Sequence, residues 1–290
     1  MIPVFIQRAE HIGFCSGVDR AISLAVDVLK KTDSLYVTGD LVHNAMVMDE
    51  LFSKGLKIID EQSLPANATV MIQAHGASPD LIERLAEKGN RIVDGTCPIV
   101  KKSFDICRSC SELLYEIIVY GNSNHPEMRA LKGIVHKALI INDLDALKVC
   151  VRKIIDTRKK NFALCAQTTK PLGQFSEFSA YISSQLKQFQ HLIVYNTICD
   201  ATTRREEEIK RLAFSNDCVI VVGGVKSSNT RKLYDIAKAN TVNAHLIHSV
   251  KDLDAIKGTL FQSDTCLIAS GTSTPMKQVE AVENYITSEM

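Results

Sequence analysis

The sequence predicts an α/β fold of three similar units, each with a small parallel sheet, arranged as a ring with pseudo-threefold symmetry. Short apolar runs rich in β-branched residues alternate with segments of helical period. This alternation is typical of parallel strands joined by crossover helices. Nearly every run ends in a polar loop, and the order of the loop residues recurs along the chain. Any α/β protein shows such alternation, but the recurring order of the loop residues predicts a repeated unit.

The first unit is expected to span residues 16–97. The run "SLYV" leads into a loop with His43, and the shorter strand "LKIIDEQSL" follows. The run "TVMIQA" then ends at His75, and the run "RIVDG" ends at Cys97. The unit therefore closes on a cysteine.

The second unit, residues 98–199, repeats this order. The run "EIIVYG" leads to His125 and Glu127, and the strand "ALIINDLDAL" follows. The run "FALCAQ" ends at Thr168, and "LIVYN" ends at Cys199. A cysteine again follows the fourth strand.

The third unit, residues 200–290, lacks its last strand. The run "CVIVVGG" leads to residues 227–229, "HLIHSVKDLDAI" follows, and "CLIASG" ends in a loop with Ser273. The N-terminal run "IPVFIQ" precedes Cys15, so residues 1–15 are expected to complete this unit. Functional loops of open parallel sheets lie at the carboxyl ends of strands, and three units facing one axis would bring these loops together.

Composition and charge exclude several classes of function. The 290 residues are 46% hydrophobic and 23% charged, which is ordinary for a globular protein. A net charge of +1 argues against a large nucleic-acid or anionic-membrane surface. No apolar run approaches the roughly 18 residues of a membrane span, and the N-terminus lacks the features of a signal peptide. We therefore expect a cytoplasmic protein with no nucleic-acid and no membrane partner.

Three of the nine cysteines differ from the rest in their setting. Cys15, Cys97 and Cys199 each follow a predicted strand and precede a helical pattern. A helix N-terminus stabilises thiolate, the form that binds metal. The other six are interpreted as core or connecting residues: Cys107 and Cys110 in a helical C-x-x-C, Cys150 in a connecting stretch, and Cys165, Cys218 and Cys266 in apolar strands.

Three thiolates, one from each unit, favour an iron–sulfur cluster over zinc. A 4Fe–4S cluster usually takes four cysteines. With three, one iron stays open to bind a substrate oxygen as a Lewis acid, as in a catalytic metal site with an open position. The expected cofactor is therefore a 4Fe–4S cluster with one iron not ligated by cysteine.

Several polar loops have the character of anion sites. Ser78 is expected to cap a helix that begins at Pro79, which places His75 just before a helix N-terminus, where N–H groups favour phosphate. The two serines and the asparagine of "KSSNT" supply two hydroxyls and an amide, all groups that hydrogen-bond phosphate. The sequence has no Walker loop and no G-x-G-x-x-G motif, so a nucleotide site is not supported.

Glu127 is the candidate proton donor. Pro126 biases His125 toward extended backbone, and if that conformation continues, His125 and Glu127 project to the same side. A carboxyl beside an imidazole, near a buried cluster, can deliver a proton. His43, His75 and His125 lie at equivalent strand ends, which favours a functional role over a purely structural one.

The helix predicted after Cys199 carries the charged stretch "RREEEIK". Its Glu206/Lys210 and Glu207/Arg211 pairs are spaced by four residues, as on an exposed helix surface. We interpret this stretch as the solvated face of the helix and expect the functional information in the turn before it.

Nine motifs follow one another at the predicted strand ends: "GFCSGVDRAI", "VHN", "AHGAS", "TCPIVKK", "HPE", "AQTT", "ICDATTRR", "KSSNT" and "GTSTP". Together they resemble the LytB/IspH family of 4-hydroxy-3-methylbut-2-enyl diphosphate reductases. The motifs run from Cys15 to Pro275, so the resemblance covers essentially the whole chain. One motif alone would be weak, but nine in the order of the family are highly specific.

The resemblance implies a trefoil-like α/β monomer with a 4Fe–4S cluster on its axis, held by Cys15, Cys97 and Cys199. It also implies an oxidoreductase of the non-mevalonate isoprenoid pathway. The reaction would remove the hydroxyl of the substrate with two electrons and two protons, and the products would be isopentenyl and dimethylallyl diphosphates.

The resemblance also implies roles for the polar loop residues. Glu127, His125 and Thr168 would be catalytic: Glu127 would supply the proton and Thr168 would hydrogen-bond near the hydroxyl. Gln167 and Asn229 would support that network. The residues that would bind the substrate are His43, His75, His125, Thr168, Ser227, Ser228, Asn229 and Ser273.

Two positions depart from the family pattern. Ala130 stands where the family usually has glycine, and Gly95 stands where it often has alanine. Both positions are expected to affect loop packing near the site more than its chemistry.

Two alternatives belong to other functional classes. A non-catalytic iron–sulfur sensor would explain the three cysteines but neither the anion-binding loops nor Glu127. A zinc-dependent hydrolase using His43, His75 and His125 would lack any close-spaced ligand pair such as H-E-x-x-H. No flavin or nicotinamide motif is visible, so the expected partners are the allylic diphosphate substrate and an external electron donor such as ferredoxin or flavodoxin.

Overall fold

The structure, a computed structural model, describes residues 4–155 and 161–289. The first residues of the predicted strand "IPVFIQ" lie outside the described residues. The strands are β1 (Phe5–Arg8), β2 (Leu35–Val37), β3 (Leu56–Ile58), β4 (Thr69–Ile72), β5 (Arg91–Asp94), β6 (Glu116–Tyr120), β7 (Leu139–Ile141), β8 (Asn161–Ala166), β9 (His191–Val194), β10 (Cys218–Val222), β11 (Ala244–Ile247) and β12 (Thr265–Ser270).

Helices connect successive strands of the described chain, except β3 and β4, which a loop connects. They are α1 (Ser16–Leu29), α2 (Ala45–Ser53), α3 (Pro79–Glu87), α4 (Pro98–Glu112), α5 (Pro126–Ile134), α6 (Leu144–Ile155), α7 (Leu172–Gln185), α8 (Asp200–Ala213), α9 (Ser228–Asn240), α10 (Lys257–Leu260) and α11 (Met276–Ser288), with a 3₁₀ turn at Val250–Ile256.

The strands form three four-stranded parallel sheets with one shared order. The orders are β3-β2-β4-β5, β7-β6-β8-β9 and β11-β10-β12-β1. In the first two sheets the chain begins at the second position, steps outward, and then crosses back to the other side of its first strand. Strands β10, β11 and β12 follow the same path in the third sheet, where the fourth position is taken by β1. The predicted α/β class with three small parallel sheets is confirmed.

The N-terminal strand belongs to the sheet that the C-terminal part of the chain builds. Phe5 pairs with Thr265 and Arg8 pairs with Ile268, both in parallel register. Strand β1 is therefore the edge strand beside β12, and the residues that follow it reach the carboxyl end of that sheet.

The chain forms two compact units. One consists of Met1–Val26, Asp40–Gly55 and Asp200–Met290, and the other of Asp27–Gly39 and Leu56–Cys199. We call them the terminal unit and the central unit. The predicted division of the chain into three similar units (residues 16–97, residues 98–199, and residues 200–290 completed by residues 1–15) stays a proposal.

The central unit has a core on each face of strands β6 and β8. Phe104 of α4 and Met128 of α5 pack on one face, and Leu147 of α6 and Phe178 of α7 pack on the other. Strands covered on both faces need apolar side chains at every position, which explains the continuous apolar runs at residues 117–120 and 162–166. In the terminal unit, α8 and α9 pack on one face of β10 and β12, and α11 packs on the other.

The six cysteines without a proposed ligand role lie in these elements. Cys165, Cys218 and Cys266 are buried in strands and Cys107 and Cys110 are buried on α4, which confirms the core interpretation. The placement of Cys150 in a connecting stretch is wrong. Its segment is helix α6, because Leu147, Val151 and Ile155, spaced by four, form a buried stripe.

Two further properties concern the described residues as a whole. Their helices include none with the length and apolarity needed to cross a membrane. All nine cysteines lie among them, and none is joined in a disulfide.

Candidate active site

Each of the three candidate ligand cysteines is fixed by the same backbone hydrogen bond. Its amide donates to the carbonyl of the residue two positions past the end of the neighbouring strand, which is β4, β8 or β12. The bonds, measured from N to O, join Cys97 to Ala74 (3.0 Å), Cys199 to Thr168 (2.7 Å) and Cys15 to Thr272 (3.1 Å). The three cysteines therefore occupy equivalent places in their sheets.

Each of these cysteines also directly precedes a helix. Cys97 is the N-cap of α4, and its thiol makes no capping hydrogen bond. Helix α8 begins directly after Cys199, and α1 begins directly after Cys15. All three thiols are half-buried. Half-buried thiols at helix N-termini, held by their own backbone, suit a soft-metal or iron–sulfur centre.

Two glycines shape the loops that lead to these cysteines. Gly13 has φ +81°, and a Cβ there would lie 2.7 Å from Sδ of Met276. A Cβ at Gly95 would collide with the carbonyl oxygen of Ile72. Gly95 thus allows the close approach of strand β4, and this packing requirement explains the glycine at that position.

Glu127 lies fully buried in the central unit, and both of its carboxylate oxygens bond to Thr168. Oε1 accepts the backbone N–H of Thr168 at 2.9 Å, and Oε2 accepts its hydroxyl at 2.7 Å. Burial raises the pKa of Glu127 to about 7, although the two hydrogen bonds from Thr168 lower it in part. This carboxyl can therefore hold a proton near neutral pH.

The extended backbone at His125 does not continue through Glu127. Helix α5 begins at Pro126, because the fixed φ of proline suits the first helical position. The imidazole Nδ1 of His125 accepts the backbone N–H of Glu127 at 3.2 Å. The expected continuation of extended backbone from His125 to Glu127 is therefore wrong, and the hydrogen-bonding partner of the Glu127 carboxyl is Thr168.

The imidazoles of His75 and His125 meet edge to face, with their centroids 5.1 Å apart. Because Nδ1 of His125 accepts a hydrogen bond, Nε2 carries the proton of the neutral ring. His75 lies three residues before Ser78, which accepts the N–H of Leu81 and caps α3 as predicted. The two rings therefore lie together near the start of two helices.

Gln167 ties the loop after β6 to the loop after β8. Its Oε1 accepts the N–H of Asn122 at 3.0 Å, and its Nε2 donates to the hydroxyl of Thr169 at 2.8 Å. The side chain is buried and precedes Thr168 in the chain. It therefore holds the segment that carries the partner of Glu127.

In the terminal unit, hydroxyls and an amide converge at the start of α9. Ser227 caps the helix by accepting the N–H of Thr230 at 3.3 Å, and Ser273 donates to the Ser227 hydroxyl at 3.4 Å. Asn229 accepts the N–H of Thr272 at 2.9 Å. Ser228 is the first residue of α9 and is exposed. A helix N-terminus with such donors is a ready anion site.

His43 lies next to this loop in the terminal unit. Its carbonyl oxygen packs so closely on Gly224 that a Cβ there would collide with it. Asn44 caps α2, and its Nδ2 donates to Oε1 of Gln278 at 2.9 Å. The His43 side chain is exposed.

The structure thus places the predicted site residues in two groups. The central unit holds Cys97, Cys199, His75, His125, Gln167, Glu127 and Thr168, and the terminal unit holds Cys15, His43, Ser227, Ser228, Asn229 and Ser273.

Two charged residues in the stretch after Cys199 are buried, contrary to its interpretation as a solvated face. Arg205 is 5% exposed and Glu208 is 7% exposed, whereas Arg204 and Glu207 are exposed as expected. Arg205 and Glu208 lie on the same face of α8 as the buried apolar residues Ile209 and Leu212, because the four are spaced by three or four residues. This spacing is the sequence signal that could have identified the two charged residues as buried.

The partner of Glu206 also differs from the predicted one. Its carboxylate lies 2.6 Å from the ammonium of Lys232 on α9, rather than pairing with Lys210 on its own helix. Helices α8 and α9 pack side by side, so this position faces the neighbouring helix instead of solvent.

The model of the LytB protein family matches residues 6–287. A curated relative from Pseudothermotoga lettingae, named 4-hydroxy-3-methylbut-2-enyl diphosphate reductase, is 36% identical over 283 residues, covering 96% of each chain. A relative of the same name from Helicobacter pylori is 34% identical over 289 residues, covering 98% of this chain and 99% of its own.

Two solved structures resemble this chain over all or nearly all of its length. One, described as (E)-4-hydroxy-3-methyl-but-2-enyl diphosphate reductase, the terminal enzyme of the non-mevalonate pathway, has a TM-score of 0.76 at 31% identity and covers 100% of both chains. The other, an E-1-hydroxy-2-methyl-but-2-enyl-4-diphosphate reductase from Plasmodium falciparum, has a TM-score of 0.84 at 28% identity and covers 97% of this chain and 87% of its own.

Proposed function

Because the chain belongs to the LytB protein family, we propose that it is an iron–sulfur reductase acting on 4-hydroxy-3-methylbut-2-enyl diphosphate. The reaction is a two-electron, two-proton reductive dehydroxylation that gives isopentenyl and dimethylallyl diphosphates in the non-mevalonate isoprenoid pathway. The observation that carries the proposal is the identical amide-to-carbonyl bond at Cys15, Cys97 and Cys199. In this proposal the three equivalent cysteines, one from each sheet, are the ligands of one cluster.

The proposed cofactor is a 4Fe–4S cluster held by Cys15, Cys97 and Cys199, with one iron not ligated by cysteine. When bound, the cluster supplies electrons and a Lewis-acidic iron for the alcohol group of the substrate. The donor set is consistent with this cofactor, since all three thiols are half-buried and directly precede helices.

Glu127 and Thr168 form the proposed proton path. At neutral pH a carboxyl with a pKa of about 7 is partly protonated. The Thr168 hydroxyl donates to Oε2 of Glu127 at 2.7 Å, and when Oε2 is protonated the direction of this bond reverses, so that Oε2 donates to the hydroxyl. When Glu127 donates along this bond, Thr168 can pass its own hydroxyl proton to the leaving hydroxyl of the substrate. This proton leaves with the hydroxyl as water, and Glu127 is left as a carboxylate. The two electrons from the external donor reduce the remaining allylic group, and a second proton, drawn from solvent, adds to its carbon.

Neutral donors bind the diphosphate in this proposal. Ser227, Ser228, Asn229 and Ser273 surround the N-terminus of α9, where backbone N–H groups add to the side-chain donors. His43, His75 and His125 contribute imidazole N–H groups. Such a site needs no lysine cluster, in keeping with the net charge of +1.

The electrons come from an external donor in this proposal, because the sequence carries no flavin or nicotinamide motif. A ferredoxin or flavodoxin fits the requirement for one-electron transfer to a cluster. We also propose a cytoplasmic location, in which such donors and reduced thiols are maintained.

Anaerobic purification with iron and sulfide analysis tests the cofactor. We expect about four irons and four sulfides per chain, and loss of both in Cys15→Ser, Cys97→Ser and Cys199→Ser. Cys150→Ser is the matched control, since Cys150 is equally half-buried but lies on α6.

The same analysis separates the alternative functions. A colourless, zinc-loaded protein would contradict the proposal and favour a zinc-dependent hydrolase. A cluster in a protein that never turns over the allylic diphosphate would favour a non-catalytic sensor.

A further inference from the structure

Helix α8 carries a buried cation whose guanidinium donates hydrogen bonds to two backbone carbonyls. Arg205 donates from Nη1 to the carbonyl of Ser270 and from Nη2 to the carbonyl of Gly13, both at 2.8 Å. Ser270 ends β12, and Gly13 lies two residues before Cys15. Arg205 therefore bonds both to the last residue of β12 and to the loop that leads to Cys15, a proposed cluster ligand.

Glu208, almost one turn further along α8, holds the same loop from its other end. Its Oε1 accepts the N–H of Glu10 at 2.6 Å, and its Oε2 accepts the N–H of His11 at 3.0 Å and the His11 ring Nδ1 at 3.1 Å. Burial alone would raise the pKa of Glu208, but the N–H groups of His11 and Glu10 lower it below its ordinary value.

The trio of Glu10, His11 and Glu208 is better described as a hydrogen-bonding site than as a metal site. Its possible ligand atoms lie within 4.8 Å of one another. Both oxygens of Glu208, however, already accept N–H bonds from the loop. The carboxylate is therefore oriented toward backbone, and its role is to hold residues 10 and 11.

Two further bonds continue the attachment as far as the cysteine. The N–H of Gly13 donates to the hydroxyl of Ser270 at 2.8 Å, and the N–H of Cys15 donates to the carbonyl of Thr272. The loop from Glu10 to Cys15 is thus bonded along its length, to α8 on one side and to the end of β12 on the other.

We propose that Arg205 and Glu208 are positioning residues that fix the Glu10–Gly13 segment and thereby present the Cys15 thiol to the iron–sulfur cluster. This inference rests on the proposed function for the identity of the bound group. The fixing of the segment itself is a property of the chain without its cluster, because every bond involved is made by protein atoms.

Hydrogen–deuterium exchange of the cluster-free protein tests the positioning directly. In Arg205→Gln, we expect amides in segment 10–15 to exchange at least about tenfold faster, because buried charge-assisted bonds are lost. In Glu208→Gln, we expect faster hydrogen–deuterium exchange of the amides of Glu10 and His11. The controls are Arg204→Gln and Glu207→Gln, which change exposed neighbours of the same charges. Amides of β6 and β8 serve as the internal reference.

Iron release to a chelator from the reconstituted protein gives the second measurement. We expect release at least about tenfold faster in Arg205→Gln and Glu208→Gln than in the controls, at temperatures where all four variants are folded. A purely structural role would lower the unfolding temperature without changing release from folded protein.

The results separate the two proposals. Wild-type exchange in segment 10–15 in both variants, or an equal rise in the reference strands, would overturn the positioning role. Should Arg205→Gln fail to fold, Glu208→Gln decides the matter. A wild-type protein that never takes up a cluster would overturn the proposed function, and the exchange of the cluster-free protein would still decide whether the segment is held.

Discussion

At the residue scale, Thr168 joins two parts of the proposed chemistry in the central unit. Its N–H and hydroxyl bond both oxygens of Glu127, and its carbonyl accepts the amide of Cys199. The proposed proton donor and a proposed cluster ligand are therefore held by one residue. Any displacement of Thr168 would disturb proton delivery and cysteine placement together.

Replacing Glu127 by Gln tests the proton path. Glutamine keeps the shape of the side chain but cannot supply a carboxylic proton, so we expect turnover to fall by about 100-fold or more. Binding of the diphosphate should stay within about threefold, because neutral donors elsewhere hold it. Steady-state kinetics and substrate titration measure the two effects. Glu112→Gln, an exposed change on α4, is the control, and full turnover in Glu127→Gln would refute the role.

The raised pKa of Glu127 also predicts how stability depends on pH. Between the ordinary value of 4.5 and the folded value of about 7, the folded protein binds a proton that the unfolded chain releases. The contribution of Glu127 to the free energy of unfolding is therefore largest below about pH 4.5, and it is lost as the pH rises toward and past 7. Over this whole range of pH, Glu127 changes the free energy of unfolding by about 3 kcal/mol.

Urea unfolding of the cluster-free protein at pH 5 and pH 7.5 measures this dependence. Glu127→Gln should show a smaller decrease in the free energy of unfolding between the two values than wild type. Equal decreases in the two proteins would show that Glu127 titrates normally when folded.

At the scale of elements, the end of β5 shows how packing fixes a ligand. Gly95 donates its N–H to the carbonyl of Ile72 at 2.9 Å, and Cys97 donates to Ala74. The two bonds continue the parallel ladder past the last paired residue, Asp94. Cys97 is therefore positioned by extension of the strand before α4 begins.

Gly95→Ala tests this close approach. The added Cβ would collide with the Ile72 carbonyl, so we expect a loss of about 1–3 kcal/mol of stability and a lower iron content. Gly173→Ala on α7 is the matched control, because nothing lies within 4 Å of its Cβ position. Alanine in that helix should be neutral or stabilise by up to about 1 kcal/mol. Thermal unfolding and iron analysis measure both, and an unaffected Gly95→Ala would contradict the account.

The elements themselves could be predicted from sequence because their signals are local. Apolar runs and capping residues such as Ser78 identify strands and helix starts, and the proline at residue 126 marks the start of α5. The direction of the Glu127 side chain could not be predicted, since it depends on Thr168, 41 residues away. The burial of Arg205 depends in the same way on carbonyls at Gly13 and Ser270.

At the scale of the whole molecule, the repetition is stronger in the backbone than in the sequence. The three sheets share one strand order, and each has a cysteine whose amide bonds the same relative carbonyl. The order of loop residues predicted the three cysteines and the repeat. The bonds that make the cysteines equivalent were beyond prediction, because each acceptor is a backbone carbonyl, and the residues that carry it, Ala74, Thr168 and Thr272, share no side-chain signal across all three sites.

Anaerobic turnover is the most direct test of the central claim. The cluster-loaded protein is mixed with 4-hydroxy-3-methylbut-2-enyl diphosphate and a reduced artificial one-electron donor, and the products are separated. We predict isopentenyl and dimethylallyl diphosphates, with two electrons consumed per substrate and no products from Cys199→Ser. Intact substrate after complete oxidation of the donor by a cluster-loaded protein, or release of diphosphate in place of the hydroxyl, would contradict the account.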